Sequence, residues 1–138
     1  MTKVAMSTAV PVSAKQVWDL IGNFNAMPQW HPAVKNSEQK GDGVGSVRTM
    51  TLPDGSQIVE KLESKDDGSR SLTYSIVNSP LPVANYTSTM TVHDKGGQAE
   101  VEWSSNFDPK GASPEDAMKA VQGVYAAGLE NLKKMFGG

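Results

Sequence analysis

The chain has 138 residues, the length of one ordinary domain, and we expect residues 1–138 to share a single hydrophobic core. Its 13 Lys and Arg against 15 Asp and Glu exclude a basic nucleic-acid-binding stripe, and the lack of cysteine excludes disulfides, cysteine-ligated metals and a cysteine nucleophile. With no apolar run of about 18 residues and no apolar signal-peptide core, the sequence predicts a cytoplasmic protein without a membrane span.

The first part of the chain predicts a strand followed by two short helical segments. Apolar residues alternate over residues 3–10, which is typical of a half-buried strand. Ser13 and Gln16 then form a capping box, and apolar residues follow at helical spacing until Gly22 and Asn23. Residues 25–32 contain two prolines and leave room for at most one short helical turn.

The middle of the chain predicts a meander of strands. Turn sequences interrupt the alternation at 41–43, 52–55, 66–68, 79–82 and 95–97, and the Asp-Gly and Gly-Gly pairs among them are typical of hairpins. The six predicted strands are 33–40, 44–52, 56–65, 69–78, 85–94 and 98–107. Together with the first strand they form a seven-stranded antiparallel sheet.

The last part predicts one long helix. Ser113 supplies its N-cap, Pro114 its first turn, and the apolar period changes from 2 to 3.6. About 23 residues of helix rise roughly 35 Å, which is long enough to cross the sheet. The fold class is therefore α+β, with a curved antiparallel sheet wrapped around the C-terminal helix and two short helices between strands 1 and 2.

The space between this helix and the sheet is predicted to be a cavity. The facing stripe of the helix has small side chains at Ala117, Ala120, Val124 and Gly128. Cavities of this kind bind apolar ligands. In the alternative interpretation, sheet aromatics fill the gap, and the candidates for this are Tyr74, Tyr86 and Trp103.

The chain resembles a known superfamily in its order of elements and in two segments. VWDLIGNFNAMPQWHPAV (17–34) and VEWSSNFDP (101–109) resemble the START-like (SRPBCC) superfamily, which has the helix-grip fold, and within it the polyketide cyclase/dehydrase and lipid-transport group. ANYTS (84–88) and EKL (60–62) are similar to strands of the abscisic acid receptors. The superfamily includes binders, transporters and enzymes, so the resemblance implies the fold more firmly than an activity.

Glu60 is the most informative single residue. Alternation places it on the same face as Ile58 and Leu62, where lost hydration raises the pKa of a carboxylate unless a cation pairs with it. The alternative is that strand curvature or an edge position exposes Glu60 to water. The resemblance implies that Glu60 binds ligand through water, and Glu60 is also the candidate general acid or base.

Other ligand contacts are implied by the resemblance or by shared strand faces. Lys35 matches a receptor lysine that meets the ligand carboxylate, and with Glu60 it would form a charge pair in one cavity; alternatively it is a solvated strand lysine. Buried Tyr74 and Tyr86 need hydrogen-bond partners and are natural ligand contacts, with Ser88 on the same face as Tyr86. On the C-terminal helix, we expect Val124 and Gly128 to contact the ligand.

Strand 98–107 gives two conflicting predictions. The resemblance implies that Glu102 and Ser104 line the cavity. Alternation instead puts Trp103 on the apolar face and both polar residues on the opposite one. The residues alone leave this choice open.

Two loops match the gate and latch of the receptors. The gate position holds Leu52 and Pro53, and the latch position holds Leu81, Pro82 and Val83. The first loop is shorter than the receptor gate, the latch histidine and arginine are replaced, and Gly128 stands where the receptors have an asparagine. These departures argue against abscisic acid binding and phosphatase inhibition, but not against a cavity.

Three functions are consistent with the sequence. The first is binding of a small hydrophobic or amphipathic ligand, such as a lipid or an aromatic polyketide-like molecule. The second is a cofactor-independent cyclase or dehydratase in which Glu60 is the acid or base. The third is a non-catalytic interaction domain, for example a homodimer formed through an exposed Trp103 or through the proline-rich loops. His31 is expected to cap a turn, and neither it nor His93 has the spacing of a metal site.

Overall fold

A computed structural model describes residues 2–138 and has the expected helix-grip architecture. The seven strands form one antiparallel sheet in the order β1-β7-β6-β5-β4-β3-β2, and the long C-terminal helix lies against it. In chain order the elements are β1 (Thr2–Val10), α1 (Ala14–Ile21), α2 (Met27–Trp30), β2 (Asn36–Lys40), β3 (Val47–Thr51), β4 (Gln57–Asp66), β5 (Ser71–Asn78), β6 (Val83–Asp94), β7 (Ala99–Pro109) and α3 (Pro114–Met135).

The helix starts are those that the sequence predicts. The Ser13 hydroxyl oxygen accepts a hydrogen bond from the Gln16 backbone N–H, and Gln16 Oε1 accepts one from the Ser13 backbone N–H, so the capping box is complete. Ser113 caps α3 through the Asp116 N–H, and Pro114 occupies the first turn. No helix within residues 2–138 combines the length and the apolar character needed to cross a membrane.

Two strands begin three residues later than the alternation indicates. β3 starts at Val47, three residues late, because Gly43 and Gly45 have φ angles of 70° and 91° that a strand does not accommodate. β2 starts at Asn36, because residues 31–34 form a turn in which the Val34 N–H donates to the His31 carbonyl oxygen. Lys35 therefore lies just before the strand.

Irregular pairing bends the sheet where it faces the C-terminal helix. β4 shifts register against β5 at Val59/Glu60, and β6 shifts against β7 between Ala84 and Thr87, where Asn85 has φ 52°. β5 and β6 stop pairing at Ser75 and Thr87. Beyond that point β5 and β6 separate, next to the residues of both strands that face α3 (the inner face of the sheet).

Aromatic rings fill much of the space between the sheet and α3. Trp103 stacks on Tyr125 of α3 with ring centroids 4.2 Å apart, and Trp30 of α2 lies 5.6 Å from Trp103. Gly128 allows this approach, since a Cβ there would meet His31 Cδ2 at 2.6 Å and ring carbons of Trp30 and Trp103 at 3.0 and 3.1 Å.

We expect Gly128→Ala to destabilise the protein by about 1–3 kcal/mol, because the added methyl group displaces three buried rings. The matched control is Gly123→Ala in the same helix, where nothing lies within 4 Å of the added Cβ. It should gain up to about 1 kcal/mol from helix propensity. Urea denaturation of both variants checks the pair, and equal effects would contradict the close packing at Gly128.

Candidate functional site

A largely enclosed cavity of about 110 Å³ lies between the inner face of the sheet and α3. The prediction of a cavity and the alternative prediction of a gap filled by aromatic rings are therefore each correct in part, because a cavity exists but aromatic rings make it small. For comparison, an engineered apolar cavity of about 150 Å³ takes up benzene. The wall is largely apolar, and its aliphatic part includes Met27, Met50, Leu52, Ile58, Ile76, Leu81, Val121 and Val124.

Two grooves on the surface are larger, at about 520 Å³ each, but both are open to solvent. One lies beside Trp18 and Asp67, and the other lies where β5 and β6 separate. Ligand sites are enclosed and mostly apolar, with a few placed polar groups. The internal cavity has these properties and is the candidate site.

A buried ion pair forms part of the polar side of the cavity. Glu60 on β4 is 5% exposed and lies opposite Arg48 on β3, which is 3% exposed. Glu60 Oε1 accepts hydrogen bonds from Arg48 Nε at 2.9 Å and from Nη2 at 2.6 Å. Burial raises the pKa of Glu60, and the Arg48 charge opposes that rise. The expectation of a desolvated carboxylate at this position is confirmed.

Arg48 is held in turn by groups behind the pair. Its Nη1 donates to the Phe24 carbonyl oxygen, and the centre of its guanidinium lies 4.0 Å from the centroid of the Phe24 ring. This cation–π contact and the carbonyl bond satisfy a charge that has left water. The guanidinium therefore stays behind Glu60 and does not reach the cavity wall.

Three tyrosines form a hydrogen-bonded cluster on the other polar side. The hydroxyls of Tyr74 and Tyr86 lie 3.3 Å apart, and the Tyr86 hydroxyl makes a short hydrogen bond with that of Tyr125. Trp103 Nε1 donates to Tyr74 at 3.0 Å, and Tyr125 lies 2.9 Å from Ser88 Oγ. Burial raises the pKa of all three phenols, so they stay protonated at neutral pH.

His31 connects α2 to the C-terminal helix at the cavity wall. Its Nδ1 accepts from the Ala33 N–H at 3.1 Å, which makes the turn contact that the sequence predicts. The proton is therefore on Nε2, which donates to the Val124 carbonyl oxygen at 2.8 Å. Burial lowers the pKa of His31, and the nearby Arg48 charge adds to the lowering.

The structure brings several of the expected ligand residues together. Glu60, Tyr74, Tyr86 and Val124 line the cavity, while Ser88 lies behind Tyr125. Of the two loops, Leu52 and Leu81 reach the wall. Within residues 2–138 the wall does not include the neighbouring loop residues Pro53, Pro82 and Val83.

Other expected residues lie elsewhere. Lys35 is exposed and away from the cavity, so the charge partner of Glu60 is Arg48 and not Lys35. Glu102 is exposed on the outer face of β7, 3.3 Å from His93, and Ser104 is on that same face. Gly128 packs against the rings of His31, Trp30 and Trp103 and does not itself line the cavity. Trp103 is 1% exposed and points inward, so alternation describes β7 correctly and Trp103 offers no dimer surface.

Sequence reasoning missed Arg48, Tyr125 and the cavity-facing role of His31. Arg48 could have been found from hairpin register: pairing around the turn at 53–55 sets Met50 against Ile58 and Arg48 against Glu60. Tyr125 flanks the expected helix stripe, and only the packing of α3 shows which flank faces the sheet. No group of three or more His, Asp or Glu side chains in the described part of the chain could hold a metal ion.

The family model described as polyketide cyclase / dehydrase and lipid transport matches residues 1–137. The chain belongs to this family. It is 40% identical to the XoxI protein from Bacillus cereus, with a TM-score of 0.94 over 99% of this chain and 96% of that one. A protein from Thermobifida fusca is 28% identical, with a TM-score of 0.88 over 99% of this chain and 94% of that one.

This chain is also similar to plant receptors. It is 34% identical over 131 residues to the abscisic acid receptor PYL2 from Arabidopsis thaliana, covering 86% of this chain and 69% of the receptor. It is 27% identical over 145 residues to the receptor PYL6 from the same plant, covering 96% and 66%. The chain thus spans about two thirds of the length of these receptors.

We expect Arg48→Met to cost about 3–5 kcal/mol of unfolding free energy, because it leaves the buried Glu60 carboxylate without its partner. The double variant Arg48→Met/Glu60→Leu should recover most of that loss, since it removes both charges. Lys15→Met, which breaks the exposed pair with Asp19, is the control and should change stability little. A double variant as unstable as Arg48→Met would contradict a compensated buried pair.

Stability should fall as the pH drops below 6.5, the ordinary pKa of histidine, because folded His31 has a lowered pKa and the unfolded chain binds the proton more readily. This contribution is fully present above pH 6.5 and is lost as the pH approaches the folded pKa. Chemical denaturation at several pH values compares wild type with His31→Gln, which keeps a side-chain N–H but does not titrate. If the free energy of unfolding changed with pH in the same way for both proteins, this role of His31 would be ruled out.

Proposed function

We propose that this protein binds a small hydrophobic or amphipathic ligand in the cavity between the sheet and α3. The observation that carries the proposal is the combination of an apolar wall with a few converging polar groups in an enclosed space. Apolar burial supplies the affinity in such sites, and the polar groups orient the ligand. Membership of the lipid-transport and cyclase family supports the same general role.

The cavity is smaller than the space of about 150 Å³ that takes up benzene, so the ligand is at most a one-ring molecule and needs some outward movement of the wall. The cavity volume of about 110 Å³ is below the 300–1,000 Å³ of sites for drug-sized molecules. Leu52 and Leu81 close it from loops, and loops move more readily than the sheet and helix that form the remaining wall. Outward movement of these loops gives a ligand its path and allows a longer apolar tail to extend between them.

A second candidate function is a cofactor-independent cyclase or dehydratase. It is favoured by a carboxylate with a raised pKa on the wall of an enclosed cavity, which is the arrangement of a general acid or base. Glu60→Gln separates the two functions when a turnover assay with aromatic polyketide-like substrates is run. An enzyme would lose turnover, whereas a binder would show no turnover in either form.

The binding proposal is tested by filling the cavity. Wild type should show a melting-temperature rise of several degrees with one-ring apolar compounds, or carry a small molecule in native mass spectrometry. Val124→Phe places a ring in the cavity from α3 and should abolish both signals while the protein stays folded. Val44→Phe, at a position 63% exposed, is the matched control and should bind as wild type does.

Equal binding by wild type and Val124→Phe would place the ligand outside this cavity. The lack of any shift or adduct across a broad panel, with both proteins folded, would contradict the proposed function.

A further inference from the structure

Over residues 2–138, the polar groups of the cavity wall present hydrogen-bond acceptors to a ligand but no free donors. We call this property the polarity of the wall, and it selects a class of ligand. A hydroxyl carries one proton, and a carboxylate none. Counting protons along the wall therefore shows which groups can still donate to a ligand and which can only accept.

The tyrosine cluster has one consistent direction. Ser88 donates its hydroxyl proton to the Ser104 carbonyl oxygen at 2.9 Å, so it must accept from Tyr125. Tyr125 has then used its proton and accepts from Tyr86, and Tyr86 in turn accepts from Tyr74. Every phenol proton is committed, and only oxygen lone pairs are left for a ligand.

The other donors on the wall are committed as well. Trp103 Nε1 donates to Tyr74, and the only proton on the His31 ring goes to the Val124 carbonyl oxygen. Two backbone N–H groups nearby are also used: that of Ala33 by His31 and that of Leu81 by Ser79 Oγ. Counting over the described residues, no side chain on the wall has a free donor.

Glu60 leaves one strong acceptor open. Both Arg48 contacts go to Oε1, and Oε2 accepts no hydrogen bond from any residue in 2–138. Within that range, Ser105 Oγ is the only side-chain oxygen or nitrogen that is both fully buried and without a hydrogen-bond partner. Glu60 Oε2 has no partner there either, so it is not fully buried. Oε2 is therefore not sealed in the protein, and because Glu60 lines the cavity, this oxygen opens onto it.

Building on the proposed function, we propose that the cavity selects a neutral one-ring molecule with a hydroxyl group, which donates its proton to Glu60 Oε2, and that it rejects carboxylates. A carboxylate would meet acceptor oxygens and the Glu60 charge. Its natural partners are absent from the wall, since Arg48 lies behind Glu60 and Lys35 is exposed outside. An apolar ring without a hydroxyl would cut Oε2 off from water without replacing the lost hydrogen bond.

Four probes of similar size test this polarity: phenol donates, toluene neither donates nor accepts, anisole only accepts, and benzoate is an anion. Dissociation constants measured by ligand-observed NMR at neutral pH should show phenol at least tenfold tighter than toluene and anisole. Hydrogen bonds to charged groups typically contribute a difference of that size. Benzoate should be the weakest of the four.

Glu60→Gln provides the sharper comparison. Its amide oxygen can take over the bonds from Arg48, which leaves the NH₂ group where Oε2 was, so a donor faces the cavity. The preference should then reverse, with anisole at least as tight as phenol. Glu102→Gln is the matched control, because it makes the same change on the exposed outer face and should keep the wild-type order.

The outcomes separate the inference from the proposed function. Equal binding of phenol, toluene and anisole, or tighter binding of benzoate, would overturn the polarity while leaving a ligand-binding cavity in place. An unchanged order in Glu60→Gln would also overturn it. If none of the probes and no xenon entered the cavity, the proposed function would fail, and the inference would fail with it.

Discussion

The structure depends on a charge that the inner face of the sheet has to neutralise. Glu60 projects from β4 into the space under α3, and an isolated carboxylate there would be too costly to keep ionised. Arg48 on the neighbouring strand neutralises this carboxylate. Its guanidinium is held in place by a hydrogen bond to the Phe24 carbonyl oxygen and by contact with the Phe24 ring. The arrangement is asymmetric, because both hydrogen bonds from Arg48 end on one oxygen. The pair is therefore both a structural element and the origin of the polar surface in the cavity.

Packing of the C-terminal helix determines how much room that surface has. Gly128 lets α3 lie against Trp30 and Trp103, and Tyr125 from the same helix stacks on Trp103. This packing brings the Tyr125 hydroxyl to Tyr86 and Ser88, so the close helix approach and the one-directional hydroxyl cluster have one cause. A looser helix would give a larger cavity but would break the cluster that defines its polarity. Close aromatic packing thus yields a small cavity with a defined orientation of donors and acceptors.

The architecture could be predicted from the sequence because its signals are local. The capping residues Ser13 and Ser113, the Gly-containing turns and the change of period at the last helix each act within a few residues. The side-chain partners could be predicted less well, since Arg48 is 12 residues from Glu60 and Tyr125 is 39 from Tyr86.

Glu60 itself was found because alternation puts a carboxylate on an apolar face. Lys35 was expected there by resemblance, but a turn at residues 31–34 delays β2 and leaves Lys35 in solvent. On β7 the alternation of side chains was the better guide, because strand geometry forces Trp103 and Glu102 to opposite faces.

If Glu60 orients a ligand in the cavity, a crystal of the wild-type protein soaked with phenol should show phenol bound there. We expect the ring between Ile58 and Val124, with the phenol oxygen about 2.5–2.7 Å from Glu60 Oε2, the distance of a charge-assisted O–H···O⁻ bond. Phenol bound only on the surface, or in the cavity with its oxygen turned away from Glu60, would show that Glu60 does not orient the ligand.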